Sequence, residues 1–445
     1  MKKELGIVFI FFALMALIAG MFFGSISSFQ FIYPEFLPQI PFYKTRPLHV
    51  SMVVSWIFLS AIGGIYFYLP KFCNLPLFSN KLAKLHLMLF IITGLIIIAS
   101  YIYGQFGGRE YWEFPPILSI PIFISWIIFG YNYFKTVIKK IGQWPVYMWM
   151  WATGICFFLI TFSEAYLWLF PFFRDDPIRD LTVQWKAYGA LVGSWNMLVY
   201  GTGIFLMEKI KGDSSLGHSK IAFLMYFLGF TNLLFGWAHH IYILPTQPWI
   251  RHLSYFISMT ELIILVKIIW NWKKSISDSK KNFQHLSYKF IVASDFWILF
   301  NLILAILISI PAINVYTHGT HVTVAHAMGS SIGINTMILL SSVFFIIKHV
   351  TNYTLTPKQE QLTKYGFWIL NISLFVFLAS LIWSGIIKGV LIIENKLIFQ
   401  EIMQTITPHL KIFTFSGIGL LIGIILICYH QLIKIINYLF SKAQH

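Results

Sequence analysis

Residues 220–243 read KIAFLMYFLGFTNLLFGWAHHIYI, an apolar run of membrane-spanning length that closes on two adjacent histidines, His239 and His240. A polar group in hydrocarbon is costly unless it finds a hydrogen-bond partner or a metal. Neutral imidazole is also the commonest metal ligand in proteins. Two interpretations follow: an interfacial pair bonded to water or backbone, or two ligands of a metal held within a helical membrane protein.

Comparable apolar runs recur along the whole chain. Of its 445 residues, 58% are hydrophobic and only 11% are charged, whereas soluble proteins carry about 25% charged residues. Each run is long enough to cross a bilayer as a helix. We therefore predict an all-α integral membrane protein, a bundle of twelve transmembrane helices that forms a single polytopic domain over residues 1–445. The predicted spans cover roughly 5–27, 49–69, 84–104, 116–138, 146–171, 185–207, 220–243, 252–272, 289–312, 322–348, 365–390 and 408–436.

The formal net charge of +16 is distributed by side of the membrane. Lysines cluster at both termini and in alternate loops, which the positive-inside rule assigns to the cytoplasm. Both termini are therefore predicted to be cytoplasmic. The positive net charge follows from this topology and indicates a lipid bilayer as the partner. Binding of a nucleic acid is not needed to explain the charge. The N-terminal run lacks a small-residue cleavage site and is interpreted as a retained first span.

The five arginines all fall in the opposite, outer loops, against the positive-inside rule. Arginine is the residue that pairs with carboxylates through two parallel hydrogen bonds. Arg46 and Arg109 are therefore candidates to bind the carboxylates of a cofactor, such as haem propionates, or those of an acidic partner. Simple anchoring at the membrane interface is the alternative.

Six histidines fall near the outer third of the predicted membrane region: His49, His239, His240, His318, His321 and His326. In His326-Ala327-Met328, the histidine and the methionine are about 200° apart on an α-helix, so they point to opposite faces and could bind two different cofactors. Haem iron accepts both His and Met as axial ligands. A haem on His326 facing a metal at His239 and His240 would form a binuclear site. A packed core histidine beside a core methionine is the alternative.

Four motifs together resemble the large, catalytic subunit of cytochrome-c-type nitric oxide reductase, a member of the haem-copper oxidase superfamily. The resemblance extends over essentially all twelve predicted spans in order, and it implies the fold of haem-copper oxidase subunit I. The motifs are Arg46-Pro47-Leu48-His49, Gly108-Arg109-Glu110-Tyr111, Ala238-His239-His240 and the run from Tyr316-Thr317-His318-Gly319-Thr320-His321 to Ala325-His326.

The resemblance implies three redox centres. His49 matches an axial ligand of a low-spin haem b, and His326 matches the proximal ligand of a high-spin haem b3. His239 and His240 match two ligands of a non-haem iron, with copper as the alternative metal.

The chain departs from the family pattern in two places. Met328 stands where the family has a second haem-ligating histidine, so His49 and Met328 are predicted to ligate the low-spin haem, and methionine ligation raises its reduction potential. In the sixth span, Tyr188 stands at the position of the family's third iron-ligating histidine, and Val192 at that of a glutamate. Tyr188 is therefore a candidate catalytic residue. It could be a phenolate ligand of the metal or a hydrogen-bond donor, or it could simply fill the space of the missing histidine.

Acidic residues complete the predicted site. The resemblance implies that Glu110 ligates a structural calcium between the haem propionates, and that Glu261 is an acid beside the active site. Glu164 and Glu261 are also candidates to compensate for the missing metal ligand, because an acid within a membrane span usually has a function.

These features predict a haem-containing oxidoreductase in a bacterial inner (cytoplasmic) membrane. Electrons from a cytochrome c donor subunit would reduce a small gas at haem b3 and the distal metal, and the resemblance implies reduction of nitric oxide to nitrous oxide. Dioxygen reduction is the second hypothesis. A non-catalytic electron-transfer or gas-binding relative is the third, motivated by Tyr188 and Val192. A transporter with histidines in its path is the fourth.

Overall fold

A computed structural model describes residues 4–257, 270–271, 274, 285–351, 355–395 and 397–440. Eleven helical segments within these ranges are long and apolar enough to cross a membrane. The prediction of an all-α membrane protein is therefore confirmed. The predicted eighth span, 252–272, lies largely outside the described residues.

The α-helices whose bounds the structure gives are numbered here in chain order. They are α1 Leu5–Ile32, α2 Phe42–Phe72, α3 Asn80–Ile102, α4 Ser119–Val137, α5 Val146–Glu164, α6 Pro171–Arg174, α7 Pro177–Lys211, α8 Lys220–Phe235, α9 His285–Ser309, α10 Pro311–Thr317, α11 His321–Met328, α12 Met337–Thr351, α13 Pro357–Val390 and α14 Phe399–Phe440. A 3-10 segment, Gly236–Ile241, directly follows α8, and a π-helical segment, Gly329–Thr336, joins α11 to α12.

The chain divides into two compact units. Unit 1 comprises Met1–Thr136, Val343–Ser384 and Ile398–His445, and unit 2 comprises Val137–Ser342 and Gly385–Leu397. Of the residues predicted to bind cofactors, His49, Arg46, Arg109 and Glu110 belong to unit 1, whereas His239, His240, His326 and Met328 belong to unit 2. The organisation of residues 1–445 as one polytopic domain stays a prediction.

In unit 1, α1 packs along α2 at close range. A Cβ atom at Gly6 would lie 2.5 Å from the carbonyl oxygen of Gly63, and one at Gly63 would lie 2.9 Å from Cβ of Phe9. Without side chains at these two positions, the helix backbones approach closely, as is usual where membrane helices associate. The contact fixes the face of α2 that carries His49.

In unit 2, α7 and the chain that carries the histidine pair are packed equally closely. α7 has Gly189 and Gly193 four residues apart, the G-x-x-x-G pattern of tight membrane helix pairs. A Cβ atom at Gly189 would lie 2.5 Å from Cβ of Trp237, and one at Gly193 would lie 2.8 Å from Cγ of Leu233. Glycine is thus required at both positions for the observed approach.

Local signals define the bounds of α7. Asp176 is the N-cap, and its carboxylate accepts hydrogen bonds from the backbone N–H groups of Ile178 and Arg179 at 3.0 and 3.1 Å. Pro177 occupies the first turn, where its missing N–H costs nothing. Gly212 ends the helix with a left-handed φ of 73°, a conformation that only glycine adopts without strain.

Candidate functional site

The two adjacent histidines lie in the 3-10 segment rather than in a continued α-helix. The carbonyl oxygen of Gly236 bonds to side chains. It contacts Nδ1 of His239 at 2.6 Å and accepts a hydrogen bond from Ser254 Oγ at 3.2 Å. The Asn232 side chain also fills the space beside Gly236, where a Cβ would clash. The tighter 3-10 turn brings the rings of His239 and His240 to 4.1 Å between centroids, tilted by 42°.

Both histidines have a buried ring nitrogen that is available for a metal. Nε2 of His239 and Nδ1 of His240 are buried and have no hydrogen-bond partner. The Gly236 carbonyl accepts the Nδ1 proton of His239, and this leaves the Nε2 lone pair of that ring free to ligate a metal. An unsatisfied buried polar atom is costly. The two side chains therefore fit the role of metal ligands.

His326 lies on α11, close enough to His239 and His240 to interact with both electrostatically. Its Nδ1 is buried and makes no hydrogen bond of good geometry. The ring lies beside the backbone of Asn301, the kind of neighbour that orients a ligating imidazole. Unit 2 thus brings together the three histidines that the sequence assigned to a binuclear site.

The π-helical segment after α11 holds this region against α9. A Cβ atom at Gly329 would lie 2.5 Å from Oδ1 of Asn301, and one at Gly333 would lie 2.8 Å from Cβ of Trp297. π-helical turns in membrane and soluble helices often occur at functional sites. Met328 precedes the segment, and because α11 is a regular α-helix here, Met328 and His326 point to opposite faces as predicted.

The third metal ligand has no counterpart among the described residues. No group of three or more His, Cys, Asp or Glu side chains in the described ranges has a geometry that could hold a metal ion. Tyr188 is buried, with 4% of its surface exposed. Glu164 forms an ion pair with Lys186 of α7. Glu261 lies outside the described residues, so its predicted role beside the active site stays a prediction.

One aromatic residue of this site does not belong to any of the motifs above. The indole of Trp185, on α7, stacks on His240 with a centroid distance of 4.5 Å and an interplanar angle of 8°. It also meets His318 edge-on at 5.8 Å, and His318 lies 6.0 Å from His240. The only sequence signal for Trp185 is its position one turn before the G-x-x-x-G pattern of α7.

In unit 1, the His49 ring contacts a backbone carbonyl of α1. Its Nδ1 lies 2.7 Å from the carbonyl oxygen of Gly20 on α1. If that carbonyl accepts the Nδ1 proton, Nε2 carries the lone pair that iron requires. Because His49 and Met328 belong to different units, their pairing on one haem stays a prediction.

Gly24→Ala is expected to disturb the His49 ring, because the new Cβ would lie 2.6 Å from its Nδ1 and 2.7 Å from its Cε1. The displaced imidazole would lose its bond to Gly20, and we expect roughly 10-fold weaker retention of the low-spin haem. The measurement is the low-spin haem absorption band after purification at graded detergent concentrations. Gly94→Ala is the matched control, since nothing lies within 4 Å of its added Cβ. An unchanged band in Gly24→Ala would contradict the assignment of His49.

Arg46 is paired with two carboxylates of unit 1. Its guanidinium contacts Oε1 of Glu110 at 2.6 Å and Oε1 of Glu113 at 2.9 Å. Burial raises the pKa of the Glu113 carboxyl, and the nearby Arg46 charge opposes that rise. The carboxylates that Arg46 meets in the structure are glutamates of its own chain, and its binding of haem propionates or of an acidic partner stays a prediction.

A tight loop presents these two glutamates. The N–H groups of Gly107 and Gly108 donate to the carbonyl of Glu113 at 3.1 and 3.2 Å. A Cβ at Gly108 would lie 1.7 Å from the Trp112 carbonyl oxygen, so the turn requires glycine there. Arg109 forms an isolated backbone bridge with Trp112. The roles of Arg109 in cofactor binding and of Glu110 in calcium binding stay predictions.

Comparison with known proteins identifies the family. The family model described as Cytochrome C and Quinol oxidase polypeptide I matches residues 4–419. The chain belongs to this family. Together with the eleven candidate membrane helices of the described ranges, this makes it a multi-pass integral membrane oxidoreductase of the haem-copper oxidase superfamily.

Individual members of the Cytochrome C and Quinol oxidase polypeptide I family are similar at low identity. A nitric oxide reductase subunit of Stutzerimonas stutzeri is 22% identical over 406 residues, which cover 85% of this chain and 82% of that protein. The Cbb3-type cytochrome c oxidase subunit CcoN1 of the same organism is 22% identical over 416 residues, covering 84% and 81%. A cryo-EM structure of a heme-copper terminal oxidase dimer has the same fold, with a TM-score of 0.79, 15% identity and coverage of 97% of this chain and 83% of that one.

Proposed function

We propose that this protein is a nitric oxide reductase-like enzyme that takes electrons from a cytochrome c and reduces two molecules of nitric oxide to nitrous oxide and water. The observation that carries this proposal is the juxtaposition of His239, His240 and His326 in unit 2, where each ring has a buried nitrogen without a well-formed hydrogen bond. A haem ligand and a pair of metal ligands at one place are what a two-centre gas-reducing site needs.

The buried nitrogens fit the cofactors that the resemblance implies. His326 would hold the high-spin haem b3, His49 and Met328 the low-spin haem b, and His239 and His240 a non-haem iron or copper. A metal at the pair would act as a Lewis acid toward the second gas molecule. The carbonyl of Gly236 contributes by keeping the Nδ1 proton of His239 in place.

The chain's other residues shape the surroundings of this site. Buried apolar side chains exclude water, which strengthens electrostatic interactions inside. Tyr188, which is buried, would donate a hydrogen bond or occupy the space of the third ligand. Lys186 neutralises Glu164 across α7 and α5, so Glu164 serves as an ion-pair partner in the described structure.

The proposal includes the cellular setting. The protein would reside in a bacterial inner membrane, and its electron donor would be a membrane-anchored or soluble cytochrome c subunit. The sequence of residues 1–445 has no C-x-x-C-H motif for covalent haem attachment, so these residues do not themselves supply a haem c. Glu110 would ligate a calcium ion beside Arg46.

Two further functions are supported by particular observations. Similarity to a Cbb3-type cytochrome c oxidase subunit at the same 22% identity favours dioxygen as an alternative substrate. Tyr188 and Val192, at the positions of a ligating histidine and a glutamate, favour a haem-binding relative without a competent distal metal.

The test is to purify the protein and measure its haem content, its non-haem iron and copper, and its consumption of NO and of O₂ with reduced cytochrome c. Nitric oxide reductase-like activity predicts two haems, one further metal ion and NO consumption that exceeds O₂ consumption. Faster O₂ consumption would identify a terminal oxidase. Haem without a further metal and without either activity would indicate the non-catalytic relative, and the lack of a Soret band would refute every haem-based function.

A further inference from the structure

The two candidate metal ligands are oriented in different ways. His239 is fixed by its contact with the Gly236 carbonyl at 2.6 Å. The His240 ring has no hydrogen bond within the described ranges, and its Nδ1 is buried without a partner. Rotation of an imidazole about its second side-chain torsion is broad and weakly restrained. Something other than a hydrogen bond must therefore hold the His240 ring.

Trp185 supplies that restraint. Its indole lies nearly parallel to the His240 ring, at 4.5 Å between centroids and 8° between planes. Rotation of the imidazole out of this plane would break the stack and drive ring atoms into the indole face. His318 lies beside both rings, because its ring meets Trp185 edge-on at 5.8 Å and lies 6.0 Å from that of His240.

The helix packing of unit 2 delivers Trp185 to this place. Trp185 lies one turn before Gly189, and Gly189 faces Trp237, which is three residues before His240. Gly193 faces Leu233 and Gly189 faces Trp237, so α7 runs antiparallel to this part of the chain. The residue one turn before Gly189, which is Trp185, therefore faces His240. The close approach permitted by Gly189 therefore sets the stacking distance.

We propose that Trp185 is a positioning residue of the distal metal site, which keeps the His240 imidazole in its ligating orientation through a face-to-face stack. The inference rests on the proposed function, because it presumes that His240 binds a metal. It adds an orienting group for a site whose expected third ligand is replaced by Tyr188. A two-histidine site depends more heavily on the orientation of each ring.

The test compares Trp185→Phe, which keeps a flat ring, with Trp185→Leu and Trp185→Met, which do not. The readout is the ratio of non-haem iron and copper to haem during dialysis against graded EDTA. We expect the leucine and methionine variants to lose the metal at roughly 10-fold lower EDTA concentration, and the phenylalanine variant to remain near the wild type. The methionine variant fills most of the indole volume and serves if the leucine variant does not accumulate.

Trp249→Leu is the matched control, since Trp249 is an exposed indole of the same unit. Its metal retention should equal that of the wild type, and haem content should be the same in all variants. Equal retention in wild type, Trp185→Leu and Trp185→Met would overturn the inference alone. Equal loss in the phenylalanine and leucine variants would also overturn it, because packing volume rather than stacking would be responsible. A wild-type protein without non-haem metal would refute the metal site itself.

Discussion

His326→Gly is expected to lose the high-spin haem and all gas reduction. His326 is the proposed ligand of that haem, and its buried ring lies within electrostatic reach of the His239–His240 pair. The low-spin haem should persist, because its proposed ligands His49 and Met328 are unchanged and Met328 points to the opposite face of α11 from His326. Total haem per chain should therefore fall by about half. The measurements are haem content, the high-spin absorption band and NO consumption.

Imidazole provides the positive control for His326→Gly. The small side chain leaves a cavity of imidazole size, so added imidazole should restore the high-spin band in the variant but leave the wild type unchanged. His321→Ala is the matched control on the same helix, since His321 is five residues away and its charged neighbour is Lys388. Full haem content in His326→Gly without imidazole would contradict the assignment of the proximal ligand.

Gly189→Ala is expected to separate α7 from the 3-10 segment and to weaken the distal metal site. The added Cβ would lie 2.5 Å from Cβ of Trp237 and 3.3 Å from its Cα, atoms that cannot move without the backbone. Overpacking of this kind costs about 1–3 kcal/mol of unfolding free energy. The shift also carries Trp185 away from His240. Both the thermal midpoint of the helical circular dichroism signal and metal retention against EDTA should decrease.

Gly203→Ala is the control for this prediction, because it makes the same substitution on the same helix. Its added Cβ would meet only the Ile338 side chain, at 3.5 Å or more, which is ordinary contact. Alanine also has the higher helix propensity, so the thermal midpoint should stay the same or rise. Equal behaviour of the Gly189 and Gly203 variants would show that the close approach of α7 is not what maintains the site.

Sequence reasoning found the histidines of the site but not their local backbone. An apolar run of 24 residues predicts a continuous α-helix through His239 and His240, yet the helix gives way to a 3-10 turn at Gly236. The cause is tertiary and side-chain hydrogen bonding to the Gly236 carbonyl, including Ser254 from 18 residues away. A hydropathy pattern does not contain such a bond.

For the charged side chains too, the sequence indicated the candidate residues and the tertiary structure decided their partners. The sequence predicted that Arg46 would bind the carboxylates of a cofactor or of an acidic partner, whereas the structure pairs it with Glu110 and Glu113 of its own chain. The sequence did not identify Glu113 as a partner, because that residue is 67 positions away and reaches Arg46 only through the glycine-dependent loop. Glu164 was a candidate metal ligand, and its partner is Lys186, on a different helix.

The sequence by itself determined the membrane-spanning helical class, the family and the residue types able to bind haem and metal. The length of an apolar run and the chemistry of an imidazole are local properties of the chain, and they do not depend on how the helices pack. Only the tertiary structure decided which rings lie together and what orients them. Nothing in the sequence distinguishes Trp185 from the other tryptophans, of which the chain has 16 in all. The close packing at Gly189 brings Trp185 onto the His240 ring. Stacking depends on distances of a few ångströms between helices, and those distances are set by packing.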